Sequence, residues 1–279
     1  MNLDQTQAGL IRMTDDEFVK LTSFVKKKYG IDLTKKRTLI EGRLTNELRH
    51  RGLNHFSDYF AILFRDESGA EMVTLLNKLT TNLSYFMREK EHFDYLRTQV
   101  LPYFEKTRSR ELRIWSAGCS TGQEPYNTAM VLDEYFGARK KNWDTRILAT
   151  DISMNVLTKA KAGIYNVEDL KDVPSQWVSK YFMRLPNGQY QVCDQIRAEV
   201  IFRPLNLMEP FPFRKPMDLI FCRNVMIYFD APTKQQLVQK FYNCTAKGGY
   251  LFIGHSESIS SGPSSSYAYI QPAIYQRKG

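Results

Sequence analysis

Cysteine is scarce: there are four in 279 residues (Cys119, Cys193, Cys222, Cys244), widely spaced and with no Cys-x-x-Cys pair. That argues against a disulfide framework and a cysteine zinc site. Long apolar runs are also missing, and none approaches the ~20 residues needed to span a bilayer. The opening stretch, MNLDQTQAGLIRMTDDEF, lacks the basic-then-apolar layout of a secretion signal, so a cytoplasmic enzyme is expected. There is no internal repeat and no low-complexity linker; Ser260–Ser266 is the one Ser/Gly/Pro cluster and reads as a surface loop. Acidic residues are outnumbered 30 to 39, for a formal net charge of +9. A charge of that sign suits an acidic partner, and nucleic acid, anionic lipid and an acidic protein surface all qualify.

What is present is a chain that changes character once. Up to about residue 80 every periodic segment is helical. Thr14 with Glu17 three positions later predicts a capping box, and Phe18, Leu21, Phe24 and Val25 follow at helical spacing. A second helix is predicted over Lys36–Arg51, with Leu39, Ile40, Leu44 and Leu48 as its apolar stripe and Lys36, Arg37, Arg43, Arg49 and Arg51 on the other face. Two more helices are predicted near Phe56–Phe64 and Glu71–Leu79. From about Glu111, short β-branched or aromatic runs alternate with helices: LRIWSAG, then Glu124–Phe136; TRILATDIS, then Asn155–Ala162; MDLIFCRN, then Thr233–Ala246 and GGYLFIGHSE. This alternation predicts a parallel sheet covered on both faces. Asn187-Gly188 marks a hairpin that interrupts it, Val200–Arg203 returns to the main sheet, and SYAYIQPAIYQRK closes it as an antiparallel hairpin.

Three constellations carry chemistry. The first is Trp115-Ser-Ala-Gly118-Cys-Ser-Thr-Gly122-Gln-Glu124-Pro-Tyr126, where the first strand turns into its helix. Ligands of open parallel sheets bind beyond such strand ends; as pure structure the same residues form a tight turn. The second strand ends in Asp151, an acid placed to accept from ribose hydroxyls or to cap the next helix, two compatible roles. A dinucleotide site prefers GxGxxG and a phosphate at the helix N-terminus. Here the loop is GCSTG, and Glu124 would repel phosphate while suiting a cationic, hydroxyl-bearing ligand. That favours S-adenosylmethionine, a sulfonium without phosphate, over NAD. The second constellation is Leu79-Thr-Thr-Asn82-Leu-Ser84-Tyr-Phe86-Met-Arg88-Glu89, in which Arg88 suits a donor carboxylate; its structural alternative is a capped helix start with Arg88 and Glu89 as surface neighbours. The third is Phe221-Cys-Arg223-Asn224-Val-Met-Ile-Tyr228, a buried strand ending abruptly in Arg-Asn, which core packing does not explain. No Asn/Asp-Pro-Pro-Tyr stretch, the mark of amine-directed methyltransferases, accompanies it, and Arg223 favours a carboxylate acceptor.

Taken together, LTTNLSYFMRE, WSAGCSTGQEPY, LATDIS, Leu205–Leu207, FCRNVMIYFD and GHSE resemble the CheR-type chemoreceptor glutamate methyltransferases over nearly the whole chain. The resemblance implies an α/β fold: a Rossmann-like S-adenosylmethionine methyltransferase domain over 111–279, carrying a small antiparallel β subdomain at about 182–199. An all-α domain over 1–80 precedes it, with 81–110 as a linking, donor-binding segment. By position it places donor contacts at Asn82, Ser84, Arg88, Gly118, Glu124, Asp151, Asn206 and Leu207, with Arg223 and Asn224 at the strand end, and S-adenosyl-L-homocysteine as product. Arg223 and Tyr228 are the pair expected to address the incoming glutamate. Arg43, Arg49 and Arg51 are candidates for docking on the acidic coiled coil of a receptor's methylation region; a solvated charged face is the alternative. The implied protein is a cytoplasmic monomer recruited to membrane receptor arrays, with no metal, no nucleic-acid partner and no membrane insertion. Its hairpin looks short for gripping a receptor's C-terminal pentapeptide, so a tether-free form is expected. A basic nucleic-acid methyltransferase and a non-catalytic donor-binding adaptor share some of these features. The first lacks an obvious nucleic-acid module, and intact Arg223, Tyr228 and Glu124 argue against the second.

Overall fold

A computed structural model describes residues 9–80, 83–259 and 267–278. The Ser260–Ser266 loop expectation lies outside the described residues. The chain forms two compact units, Met1–Asn82 and Leu83–Gly279.

The first unit holds α1 (Asp15–Tyr29), α2 (Arg37–His50), α3 (Phe56–Arg65) and α4 (Ala70–Leu79). The capping box that opens α1 forms as expected: Thr14 accepts from the Glu17 amide and Glu17 accepts in return from the Thr14 amide, which contributes about 1 kcal/mol. Leu21, Val25, Ile40, Leu44, Leu48, Phe56, Tyr59, Leu63, Leu75 and Leu79 form its core. Leu39 departs from its predicted stripe and is 38% exposed. Buried Glu41 stands on the inward face of α2 instead, accepting from the Met13 amide (3.0 Å), Arg12 (2.7 Å) and Arg37 (3.3 Å). The hydrophobic pattern alone did not reveal that ion pair.

The second unit opens with α5 (Lys90–Tyr95), which runs through a π-helical turn (Leu96–Val100) into α6 (Leu101–Thr107). Pro102 in the first turn of α6 lacks an amide and crowds the carbonyl four residues back, a physical reason for the helix to widen there. Then come β1 (Ile114–Ala117), α7 (Gln123–Phe136), β2 (Ile147–Asp151), α8 (Met154–Ala162), β3 (Ile164–Tyr165), α9 (Ser175–Tyr181), β4 (Phe182–Arg184), β5 (Tyr190–Val192), α10 (Asp194–Ala198), β6 (Val200–Pro204), β7 (Met217–Cys222), α11 (Ala231–Cys244), β8 (Thr245–Ile253), β9 (Tyr267–Gln271) and β10 (Ile274–Arg277).

Seven strands form one sheet in the order β6-β2-β1-β7-β8-β10-β9. The first five are parallel, and β10 runs antiparallel to both of its neighbours. This is the expected doubly wound, Rossmann-like sheet with a closing hairpin, and Val200–Pro204 returns to it as predicted. The predicted hairpin at Asn187-Gly188 pairs β4 with β5, and β3 completes a separate three-stranded antiparallel sheet. Central strand β7 is buried at all six positions, as a strand covered on both faces must be. Strand order reverses between β1 and β7, so the crevice for a ligand lies beyond the carboxyl ends of those two strands.

Candidate active site

Five strand ends supply the site. After β1 the chain turns through Gly118 (φ 82°), Ser120 (φ 49°) and Gly122 (φ 94°). A Cβ on Gly118 would lie 2.4 Å from Val225 Cγ2, so glycine there answers both conformation and space. The amides of Gly118 and Cys119 donate to the Thr150 carbonyl (2.8 and 2.9 Å). The Ser120 amide donates to Asp151 Oδ2 (2.9 Å), and the Ser153 amide to Asp151 Oδ1 (3.0 Å). Asp151 therefore ties the β1 and β2 turns together, while Ser153 caps α8. Burial raises the Asp151 pKa, opposed by these amides and that of Ile152. Three of the loop amides, those of Gly118, Cys119 and Ser120, are thus taken up by Thr150 and Asp151.

Arg223, the first residue after β7, is 7% exposed. Its Nε donates to Glu89 Oε2 (3.1 Å), its Nη1 to Glu124 Oε2 (3.1 Å) and its Nη2 to the Arg88 carbonyl, with the guanidinium 5.4 Å over the Phe93 ring. Guanidinium has five N–H donors, and these bonds occupy three among the described residues. Glu124 also accepts from Ser116 Oγ (2.6 Å). Burial raises the Glu124 pKa, with Arg223 and Ser116 working against it. Burial pushes Glu89 the same way, but Arg223, the His255 amide and Asn224 outweigh it and hold Glu89 below its usual value.

The GHSE stretch acts as a clamp on this loop. Glu257 accepts from the amides of Asn224 (2.8 Å), Gly254 (2.6 Å) and Ile227 (3.1 Å). A Cβ on Gly254 would meet the Asn224 amide nitrogen at 2.9 Å. Asn224 sits at φ 59°, and its side chain donates to Glu89 Oε1 (3.2 Å). Three non-glycine residues of this network or flanking it, Met87, Glu89 and Asn224, hold positive φ, strain of the kind stored where surrounding contacts over-determine a site.

Arg223, Asn224, Glu124, Asp151 and Gly118 thus converge at the carboxyl edge of the sheet. Tyr228 lies on the same β7 loop, half-buried, in the one-turn helix Met226–Tyr228. Asn206 accepts from the Met208 amide (3.0 Å), and the carbonyl of buried Leu207 accepts from Lys240 Nζ (2.5 Å), in the turn after β6. Arg88 is bonded to the Leu83 carbonyl (2.7 Å) beside the Tyr85 ring, and Ser84 is half-buried. Asn82 lies outside the described residues. In the helical unit Arg43 donates to the last carbonyls of α4 (Lys78 and Leu79, 3.0 and 2.9 Å). Arg49 donates to the Gly9 carbonyl (2.6 Å), and Arg51 pairs with Glu47 (2.6 Å) and Glu71 (2.9 Å). Glu89, Ser116 and Glu257 were missed as site residues. Glu89 was visible only as half of an Arg-Glu dipeptide that also fits a surface neighbourhood, and Glu257 only as part of a motif without a stated role.

Comparison with known proteins accords with this geometry. Residues 82–272 match the family described as CheR methyltransferase, SAM binding domain, and residues 16–80 the one described as CheR methyltransferase, all-alpha domain. The chain is similar to the chemotaxis protein methyltransferase of Borreliella burgdorferi, 42% identical across 99% of this chain and 100% of the relative. It is also similar to that of Escherichia coli, 38% identical across 90% of this chain and 87% of the relative.

Proposed function

The chain belongs to the CheR methyltransferase family and is an S-adenosylmethionine-dependent methyltransferase, and from that premise we infer that it esterifies glutamate side chains of chemoreceptors through Arg223 and the residues around it. The observation that carries this reading is a buried arginine with two N–H groups unbonded among the described residues, held at the sheet's carboxyl edge by Glu89 and Glu124.

The residues present fit the donor. In the turn after β1 the Gly118, Cys119 and Ser120 amides are already bonded to Thr150 and Asp151, and carboxylates at Glu124 and Asp151 suit a sulfonium and ribose hydroxyls. Gly118, Asn206, Leu207, Arg88, Ser84, Asn82 and Asn224 complete the assigned donor contacts. When bound, S-adenosylmethionine supplies an activated methyl group and departs as S-adenosyl-L-homocysteine. With both glutamates ionised, the charges of Arg223, Glu89 and Glu124 sum to −1, which favours a cationic ligand and disfavours a third carboxylate until that cation is in place. A glutamate γ-carboxylate is ionised at pH 7, so no general base is required. Arg223 meets one of its oxygens with the unused guanidinium donors while Tyr228 orients the other. The rate then comes from alignment and exclusion of water.

The acidic coiled coil of the receptor's methylation region docks on Arg43, Arg49 and Arg51, and the protein acts as a cytoplasmic monomer at receptor arrays. The three-residue strands β4 and β5 support a form that needs no receptor tether. Labelled methyl transfer to receptor membranes tests the reading: the expected product is base-labile, as an ester is. A base-stable product, or label on nucleic acid, would replace it with an amine- or nucleic-acid-directed enzyme, and no transfer would leave a donor-binding adaptor.

A further inference from the structure

Beside Arg223, the methyl-transfer site leaves one group without a task. His92 in the first turn of α5 is 1% exposed, and neither ring nitrogen has a hydrogen-bond partner among the described residues. Leaving such a buried polar group without a partner is destabilising, so an unpaired one asks for an explanation. Its Nδ1 lies 3.4 Å from Glu89 Oε2, and its ring meets the exposed His255 ring edge-on at 4.9 Å between centroids. One ligand atom from each of Glu89, His92 and His255 falls within 4.8 Å of the others. Glu89 is the residue before α5, in a left-handed backbone conformation, and His92 lies in the first turn of that helix, so the two ligands meet at the helix start. The Glu89–His92 separation already matches the edge of a tetrahedral site with bonds of about 2.0–2.1 Å. Closing the third vertex requires movement chiefly of His255, the exposed member of the three.

We propose that Glu89, His92 and His255 form a binding site for a borderline divalent transition-metal ion of the Zn²⁺ type, and that the bound ion inhibits methyl transfer. Two imidazoles and one carboxylate select such an ion over Mg²⁺ or Ca²⁺, which take oxygen ligands. Inhibition follows from the shared ligand: Glu89 Oε2 is the atom that holds Arg223 Nε at 3.1 Å. An ion on that oxygen draws the carboxylate from Arg223 and sets a second positive charge next to the guanidinium. Metal and productive Arg223 therefore compete for Glu89.

The experiment titrates the untagged full chain with Zn²⁺ against a chromophoric chelator, with Co²⁺ absorption reporting the ligand field. The expected result is one ion per chain, bound at least tenfold more weakly by His255→Ala and by His92→Gln and unaffected by Mg²⁺. The other two histidines, His50 and His55, are exposed in the helical unit, and their joint replacement by alanine should leave the affinity unchanged. Because His255 is exposed, its variant tests the site even if His92→Gln fails to fold. No saturable binding, or equal binding by His255→Ala, would overturn the site. Zinc should also slow methyl transfer, reversibly on chelation and less in His255→Ala, each variant being compared with its own metal-free rate. Binding without inhibition would overturn the competition with Arg223. That second half rests on the role given to Arg223 above, whereas the titration does not, so the two can fail separately.

Discussion

In the helical unit Arg37, Arg43 and Arg51 meet carboxylates and carbonyls with part of each contact open to water; in the second unit Arg223 meets two carboxylates and a carbonyl almost wholly out of it. The Arg37 side chain is 37% exposed and its partner Asp15 89%, against 3% for Arg223. Solvent screens the first kind of pair to about 0–1 kcal/mol. The second kind carries a desolvation penalty, and removing one partner leaves the others uncompensated at a cost of about 3–5 kcal/mol. The same side-chain chemistry thus stabilises helices in one unit and builds a charged, water-poor site in the other. Burial decides which.

The comparison breaks if Arg223 can be replaced. Arg223→Ala is expected to lower labelled methyl transfer by ~10³-fold or more, as loss of a charge-orienting group in a water-poor site does; a rate within tenfold of wild type would make it an ordinary arginine. Glu89→Gln keeps the shape but halves the charge around Arg223. The net charge of Arg223, Glu89 and Glu124 then rises from −1 to zero, so donor affinity is expected to weaken while kcat falls roughly 10- to 100-fold, and a change in donor affinity alone would move Glu89 from positioning Arg223 to binding the donor.

Glu41 sharpens the contrast from the other side, as a buried carboxylate in the helical unit. Burial raises its pKa, but the Met13 amide, Arg12 and Arg37 outweigh it and the net direction is down from 4.5. A depressed folded pKa contributes stability above the unfolded value that is lost as pH falls through the folded one. Glu41→Gln should therefore destabilise the protein by about 1 kcal/mol near pH 7, a discounted figure because Arg12 is exposed. In thermal unfolding the gap to wild type should close as the solution is acidified below 4.5; a gap independent of pH would show that Glu41 acts by packing alone. The smallest effect is expected for Arg49→Glu with Arg51→Glu. Receptor methylation should fall several-fold at low salt and recover little as salt masks what attraction remains, with donor binding unchanged. Equal activity at all salt concentrations would leave these arginines to their partners Gly9, Glu47 and Glu71.

Much of the fold was legible because it is encoded at short range. The capping box at Thr14, the β-α alternation after Glu111 and the Asn187-Gly188 turn each depend on residues within a few positions of one another. The site was legible where a residue violated its local pattern. Arg223 ends a run of buried apolar positions, Gly118 and Gly122 punctuate a strand end, and Asp151 closes the next strand. Glu89 and Glu257 violated nothing, since acidic residues next to Arg88 and Ser256 are unexceptional in loops. Leu39 failed in the opposite way: its spacing matched the stripe, but the axis of α2 is set by what packs against it.

The sequence by itself determined the helices of the first unit and the strands and main covering helices of the sheet, though not α5, α6, α9, α10 or β3. It also determined which glycines a turn requires and which charged residues sit at strand ends. Only the tertiary structure decided what those charges do. Arg223 meets Glu124 across 99 positions and Glu89 across 134, and Glu257 reaches back 33 to the Asn224 amide. No local pattern encodes pairings at that range; they exist because strand order brings β1, β7 and β8 side by side and places their carboxyl ends within reach of the turn before α5. Burial there, which is a property of the assembled sheet and its covering helices, turns an arginine and two glutamates into a site.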